Sequence, residues 1–285
     1  MLQKIINKTL SAIDERFQAE NFYLHDFSKI SADIKGSDKW SEFQRKILKE
    51  LNKSPANFLR QKTISFTLHP NQQYLGSKYF FDLINSKEMD DVYFNLLTEN
   101  NFGNPFNLRV YPRTSPTLVQ HIHHLMMIER FFSRKLWSFN KVVEFGGGYG
   151  SLARLLSRIN YDGEHTICDL EFMTRLQAFY LENLQLPNYS VNWTQNLENL
   201  SSENSADTIL IATWSYSETD LMLREKLLPI IMSYENIFLT FQKEFSQIDN
   251  LNYFRSLMEK HKNILIFESD IYPQNYYFIK RKKLG

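Results

Sequence analysis

The sequence predicts an α/β protein: a mostly parallel seven-stranded sheet that ends in an antiparallel hairpin, preceded by a helical N-terminal region. Three observations carry this. From about residue 140 onward, short apolar runs rich in β-branched residues alternate with amphipathic, leucine-rich runs, the pattern of parallel strands joined by crossover helices. The last two apolar runs, in "NILIFESDIYPQNYYFIKRKK", are separated by only a short turn, and a connection that short permits only antiparallel pairing. Finally, four of the nine glycines fall within the five residues from Gly146 to Gly150. They lie between an apolar β-branched run and a leucine-rich one, which reads as strand, tight loop, helix.

In chain order, helical patterns cover residues 1–20, 39–51, 78–97 and 117–136. Polar or turn-rich stretches such as "HPNQQYLGS" and "NNFGNPFNLRVYPRTSP" connect them. Seven strands follow at 141–145, 164–169, 188–193, 207–213, 236–241, 263–270 and 275–281, with helices at 150–159, 171–184, 219–233 and 248–261. The expected organisation is a helical cap over 1–136 and a sheet domain over 137–285.

Composition narrows the function classes. The chain has 285 residues, 43% hydrophobic and 23% charged, with a formal net charge of +1. A phosphate-binding surface normally shows as a basic excess, so nucleic acid is not an expected partner. The one local excess, "KRKK" at 280–283, reads as the solvated end of the last strand. A single cysteine, Cys168, excludes an internal disulfide and fits a reducing compartment. The amphipathic start carries Asp14 and Glu15 and does not read as a signal peptide. No run approaches the roughly 18 apolar residues of a membrane span. A cytoplasmic protein is expected, and an oligomer is compatible with everything in the sequence.

The loop "VVEFGGGYGSLARLL" offers two readings. In open α/β sheets the ligand lies beyond the carboxyl ends of the strands, where the first loop meets its helix, and the helix N-terminus aims free N–H groups at negative ligand atoms. Gly146, Gly147, Gly148 and Gly150 let backbone approach a nucleoside-bearing cofactor closely. No Gly-Lys-Ser/Thr follows, so this is not a P-loop. Gly148-x-Gly150-x-x-Ala153 satisfies a dinucleotide fingerprint. Against that, Glu144 precedes the glycines as Glu-x-Gly-x-Gly-x-Gly, where an acid can hold an amino-bearing ligand, and the final hairpin is foreign to most dinucleotide folds.

These residues resemble the first motif of S-adenosylmethionine-dependent methyltransferases of the Rossmann-like class I type. Together with "TICDLEFMTRLQAFYL" and "ILIATWSYSE", the stretch from about Lys141 to Glu218 is similar to the sugar O-methyltransferases of bacterial polysaccharide loci. The resemblance implies S-adenosylmethionine as cofactor and a sugar or nucleotide sugar as acceptor. An NAD(P)-dependent oxidoreductase using the same glycines, and a non-catalytic cofactor-binding subunit, stay open as alternatives.

Candidate roles follow. Asp169, 19 residues after Gly150, can accept both ribose hydroxyls or cap the next helix. Trp193 can stack on adenine, with Gln195 or Asn196 at its amino edge. The fourth strand loses apolar character at Thr213, so its end is expected to face cofactor and acceptor, with Trp214 and Tyr216 as acceptor-binding residues. Base candidates are His121, His124 and Glu218, because a hydroxyl is a poor nucleophile and benefits from a base near neutral pKa. In "HIHHLMM" the first and third histidines share a helix face, but they lack a convincing third ligand, so no metal is expected. Arg109 and Arg113 can hold a diphosphate or carboxylate on the acceptor.

Overall fold

The protein was analysed as a computed structural model, which describes residues 38–184, 186, 189–196 and 206–281; the helix expected over 1–20 lies outside them. Before the sheet come α1 (Asp38–Lys53), a 3₁₀ segment (Pro55–Arg60), α2 (Lys62–Thr67), α3 (Gln73–Asn85), α4 (Asp91–Leu96) and α5 (Pro116–Phe132). The single helix expected over 78–97 is two. Asp90 ends the interruption as an N-cap, its Oδ1 accepting from the Tyr93 N–H at 3.0 Å, and a capped start fixes where a new helix begins. α3 also begins inside "HPNQQYLGS", and α2 occupies a stretch with no marked periodicity.

The rest alternates as expected: β1 (Lys141–Phe145), α6 (Ser151–Arg158), β2 (Glu164–Cys168), α7 (Glu171–Asn183), β3 (Asn192–Thr194), β4 (Thr208–Thr213), α8 (Leu221–Ser233), β5 (Asn236–Gln242), a small β6–β7 pair (Glu244–Phe245 and Ile248–Asp249), α9 (Asn250–Lys260), β8 (Ile264–Glu268) and β9 (Asn275–Lys280). The third strand is shorter than expected and displaced toward its C-terminal end. The seven-stranded sheet has the order β3-β2-β1-β4-β5-β9-β8. Its first five strands are parallel, and β9 runs antiparallel to both neighbours.

The described residues form two compact units. One comprises those within Met1–Ile122, Gly148–Arg154 and Glu171–Pro187; the other those within His123–Gly147, Leu155–Leu170 and Asn188–Gly285, and so contains the whole sheet. The core of the first unit is aromatic: Phe58 lies 5.8–6.3 Å from the rings of Phe102, Tyr149, Phe179 and Tyr180. Gly103 sits beside it with φ +81°, where a Cβ would overlap Phe58.

In the sheet unit, strand alternation divides the core in two. Val143, Leu210, Ala212, Leu239, Phe241 and Phe278 face α8 and α9, meeting Leu227, Ile231, Phe254 and Leu257. The opposite face of β5 and β9 meets the C-terminal half of α5, where the His124 ring lies 5.9 Å from Phe238 and 6.2 Å from Tyr277. Phe254 is the hub of the first face, with its ring 4.3 Å from Phe241 and 5.6 Å from Phe278. Phe254→Ala is expected to cost about 3–5 kcal/mol of stability through the cavity it leaves; chemical denaturation measures it.

Candidate functional site

Strand order reverses between β1 and β4, both of which pair with neighbours leading away in opposite directions. Such a switch point leaves a crevice beyond the carboxyl ends of the strands. The glycine loop follows β1, Asp169 follows β2, Trp193 lies near the end of β3, and Thr213 ends β4. The sheet unit therefore gathers at one edge most of the residues that the sequence assigns to cofactor binding.

Gly146 takes φ +77°, and a Cβ there would overlap Ser215. Ser215, in the 3₁₀ turn Ser215–Glu218, donates its hydroxyl to the Phe145 carbonyl. The first glycine of the loop is thus required by close approach of the turn after β4. The Gly147 N–H donates to Asp169 Oδ2 at 2.9 Å, and the Leu170 N–H to Oδ1 at 2.8 Å. Asp169 therefore clasps the loop with both of its carboxylate oxygens.

Glu144 does not point out of the loop. It is buried, with Oε2 3.3 Å from His165 Nε2 on the adjacent strand, an ion-pair distance without hydrogen-bond alignment. His165 Nδ1 in turn lies 2.6 Å from the Tyr189 hydroxyl. Alternation explains this: Val143 belongs to the core against α8 and α9, so Glu144 faces the other side.

After β4, Trp214 adopts φ +63°, a left-handed conformation that is uncommon for so bulky a residue and needs over-determination by its surroundings. Its N–H donates to the Thr240 carbonyl at 2.9 Å, its Nε1–H to Asn275 Oδ1 at 2.8 Å, and its ring lies 5.5 Å from His124. Tyr216 is a packing residue: only 1% exposed, it donates to the Arg224 carbonyl at 3.1 Å and lies 3.3 Å from the Tyr253 hydroxyl. Trp193, by contrast, is 43% exposed, and Gln195 and Asn196 beyond it are exposed too.

Glu218 closes the turn. Gln242 Nε2 donates to its Oε1 at 3.4 Å, and burial pushes the carboxyl up to about 7, partly opposed by that bond. The helix that follows is capped by Asp220, whose Oδ1 accepts from the Leu223 N–H at 2.8 Å. His124 is buried among the rings of Trp214, Phe238 and Tyr277, and His123 lies 3.4 Å from the Tyr277 hydroxyl.

The first unit holds the remaining loop residues. Gly148 takes φ +56° with nothing within 4 Å of where a Cβ would stand, and Gln177 Nε2 donates to its carbonyl at 3.1 Å. Gly150 takes φ +93°, and a Cβ there would make ordinary contacts with Leu181, Tyr180 and Gln177. Arg154, 2% exposed, pairs with Glu99 at 2.8 Å. Burial pushes the Glu99 carboxyl up, but Arg154, His69 and the Ser115 hydroxyl outweigh it and hold it below the usual range. His121 Nδ1 lies 2.8 Å from Ser151 Oγ, and burial, reinforced by His69, lowers the imidazole to about 4. Arg109 and Arg113 have exposed side chains. Sequence reasoning passed over Ser215, Gln177, Gln242, Glu99 and Arg154, because their roles depend on partners distant in the chain. Among the described residues no group of three or more His, Cys, Asp or Glu could hold a metal ion, and no helix is long and apolar enough to cross a membrane.

No family model matches the sequence, and no curated protein matches it. Among solved structures, the methyltransferase domain of bacterial CtHen1-CN is 10% identical, covers 57% of this chain and 97% of its own, and gives a TM-score of 0.43. A SAM-dependent methyltransferase from Aquifex aeolicus is 16% identical over 55% of this chain and 91% of its own, with a TM-score of 0.39. An rRNA methylase from Escherichia coli is 12% identical over 85% and 92%, with a TM-score of 0.41. Likenesses this low carry no argument about ligand or substrate.

The glycines separate into two kinds, and thermal denaturation distinguishes them. Gly146→Ala is expected to lower the melting temperature sharply, because Ser215 and the Phe145 carbonyl bond must move. Gly148→Ala meets no atom and is expected to lose only the roughly 1–2 kcal/mol that a left-handed φ costs an L-residue.

Proposed function

We propose that the protein is an S-adenosylmethionine-dependent methyltransferase that O-methylates a hydroxyl of a sugar or nucleotide sugar destined for surface polysaccharide. The observation that carries the cofactor reading is the strand order β3-β2-β1-β4-β5-β9-β8 with the glycine loop directly after β1. The resemblance of the motif residues supports it independently. In this reading residues 137–285 bind cofactor and residues 1–136 select the acceptor.

The residues present suit such a group. Gly148 leaves open space where a side chain would stand, Asp169 places a carboxylate at the loop, where it also accepts from the Gly147 and Leu170 N–H groups, and exposed Trp193 offers a face for adenine. When bound, S-adenosylmethionine supplies a methyl group already activated on sulfonium. The chain's work is then alignment, exclusion of water and removal of the acceptor's hydroxyl proton.

Glu218 suits that last task best of the three candidates. Its carboxyl, raised to about 7 by burial, matches the working pH of a general base. His121, lowered to about 4, is neutral at pH 7 but weakly basic, and His124 is enclosed by aromatic rings. For the acceptor, the support is the aromatic and amide-rich composition of "ENFYLHDF", "NQQYLGSKYFF" and "NNFGNPFNLRVYP". Sugar sites combine apolar walls with a few polar anchors. Arg109, exposed on the last of these stretches, and Arg113, exposed just beyond it, supply charge for a diphosphate or acidic sugar.

Calorimetry is expected to detect S-adenosylmethionine and S-adenosylhomocysteine but not NADH; tight NADH binding with no response to S-adenosylhomocysteine would sink the reading. Asp169→Ala removes charge-assisted bonds worth about 1.5–3 kcal/mol, so affinity falls about tenfold or more. With labelled methyl donor, transfer is expected into nucleotide sugars or glycans; label only in phenols, nucleic acid or protein overturns the acceptor. The rate should rise with pH through about 7 as Glu218 ionises. Glu218→Gln should cut turnover by about 10²–10⁴ while cofactor affinity holds.

A further inference from the structure

Arg224 is among the largest side chains with no exposure, at 0%, and an arginine is rarely buried without a paired charge. Its hydrogen bonds go to neutral oxygens. Nε donates to the Thr219 carbonyl at 3.0 Å, Nη2 to the Ser217 carbonyl, and Nη1 to Asn250 Oδ1 at 2.7 Å. Ser217 and Thr219 are the residues on either side of Glu218. The guanidinium therefore holds the backbone on both flanks of that carboxyl.

The third arm closes a ring. Asn250 Nδ2 donates to the Gln242 carbonyl at 2.9 Å, and the Gln242 side chain returns to the turn in two directions. Its Nε2 donates to Glu218 Oε1 at 3.4 Å, and its Oε1 accepts from the Ser217 hydroxyl at 3.1 Å. The Tyr253 ring lies over the guanidinium at 5.3 Å, and the Tyr216 hydroxyl bonds the Arg224 carbonyl. The ionisable groups around the clamp are Tyr253, Tyr216, Asp220 and Glu225.

A planar fork with donors in three directions can fix two carbonyls and an amide at once, which a lysine cannot. We propose that Arg224 is a positioning residue for Glu218: through Ser217, Thr219, Asn250 and Gln242 it fixes where the carboxyl stands and how much of it water reaches. This rests on the reading of Glu218 as the base of methyl transfer, so its test begins with a readout that needs no turnover.

The carboxyl titration of Glu218 is followed by NMR in protein labelled with ¹³C at glutamate side-chain carboxyls, its signal assigned by loss in Glu218→Gln. In the parent protein the midpoint is expected near 7. In Arg224→Lys, and in Asn250→Ala, which removes the arm to β5, the turn loosens, the carboxyl becomes more exposed, and the midpoint moves down toward the ordinary carboxylate range. Labelled methyl transfer should fall about tenfold or more in both variants, with the pH profile moving by the same amount as the titration. An unchanged midpoint in a folded variant overturns the proposal; if Arg224→Lys does not fold, the midpoint in Asn250→Ala decides it alone. If Glu218→Gln leaves methyl transfer intact, the base assignment falls while the titration still judges the clamp.

Discussion

The tightest constraint on the loop after β1 is the contact between Gly146 and Ser215, where a single methyl group would not fit. β1 and β4 are parallel neighbours with Glu144 opposite Ile211, so their following segments leave the sheet side by side. The Ser215 hydroxyl bonds the carbonyl just before Gly146, which locks one segment to the other. Much else follows from that approach. The Gly147 N–H is brought to Asp169, Trp214 turns through a left-handed conformation anchored by Thr240 and Asn275, and the turn that ends at Glu218 starts from a fixed point. A glycine that keeps space for a ligand and a glycine that keeps space for the protein look the same in a sequence; here Gly148 is open and Gly146 is closed.

What the sequence disclosed was set by local physics. Strands buried on both faces become short apolar runs, so β1, β4, β5 and β9 fell within a residue or two of their expected limits. The short β8–β9 connection left antiparallel pairing as the single choice. β3, an edge strand of three residues with Asn192 and Trp193 exposed, has little apolar pattern to read. The division of 78–97 into two helices was written in Asp90, but an aspartate before an apolar run is also common on a helix surface. Glu144 was legible in position and not in direction: its proximity to the loop was a matter of spacing, whereas its partner His165 depends on strand pairing.

The first unit shows how a buried ion pair governs neutral neighbours. Arg154 and Glu99 neutralise one another at 2.8 Å, so His69 and His121 gain little from adding a further charge. Burial lowers both imidazoles to about 4, against the pull of Glu99. They are then hydrogen-bonding groups at neutral pH: His69 Nε2 accepts from the Phe106 N–H at 3.1 Å, and His121 lies within reach of Ser151. The histidine motif that suggested base catalysis therefore supplies shape and polarity more readily than proton affinity. Arg154 keeps Nε and Nη2 without hydrogen-bond partners, a cost that the Glu99 pair and the surrounding aromatic core must offset.

Glu218 has the reverse character. Its folded-state carboxyl stands near 7, above the ordinary value of 4.5, so folding favours the protonated form. The sign of the linkage follows: relative to an unperturbed carboxyl, its contribution is fully favourable below the unfolded pKa and is lost as pH rises through about 7. At neutral pH the fold thus carries a partly ionised acid in a part-buried turn, together with a buried arginine that bonds only neutral oxygens. Neither is what packing alone would select, since an apolar pair of similar volume would avoid both desolvation costs. Strain of this kind collects where a group must be held at a particular basicity and place. That the two lie in one closed ring of hydrogen bonds, at the carboxyl end of the strand beside the switch point, is what ties the stability of this turn to its chemistry.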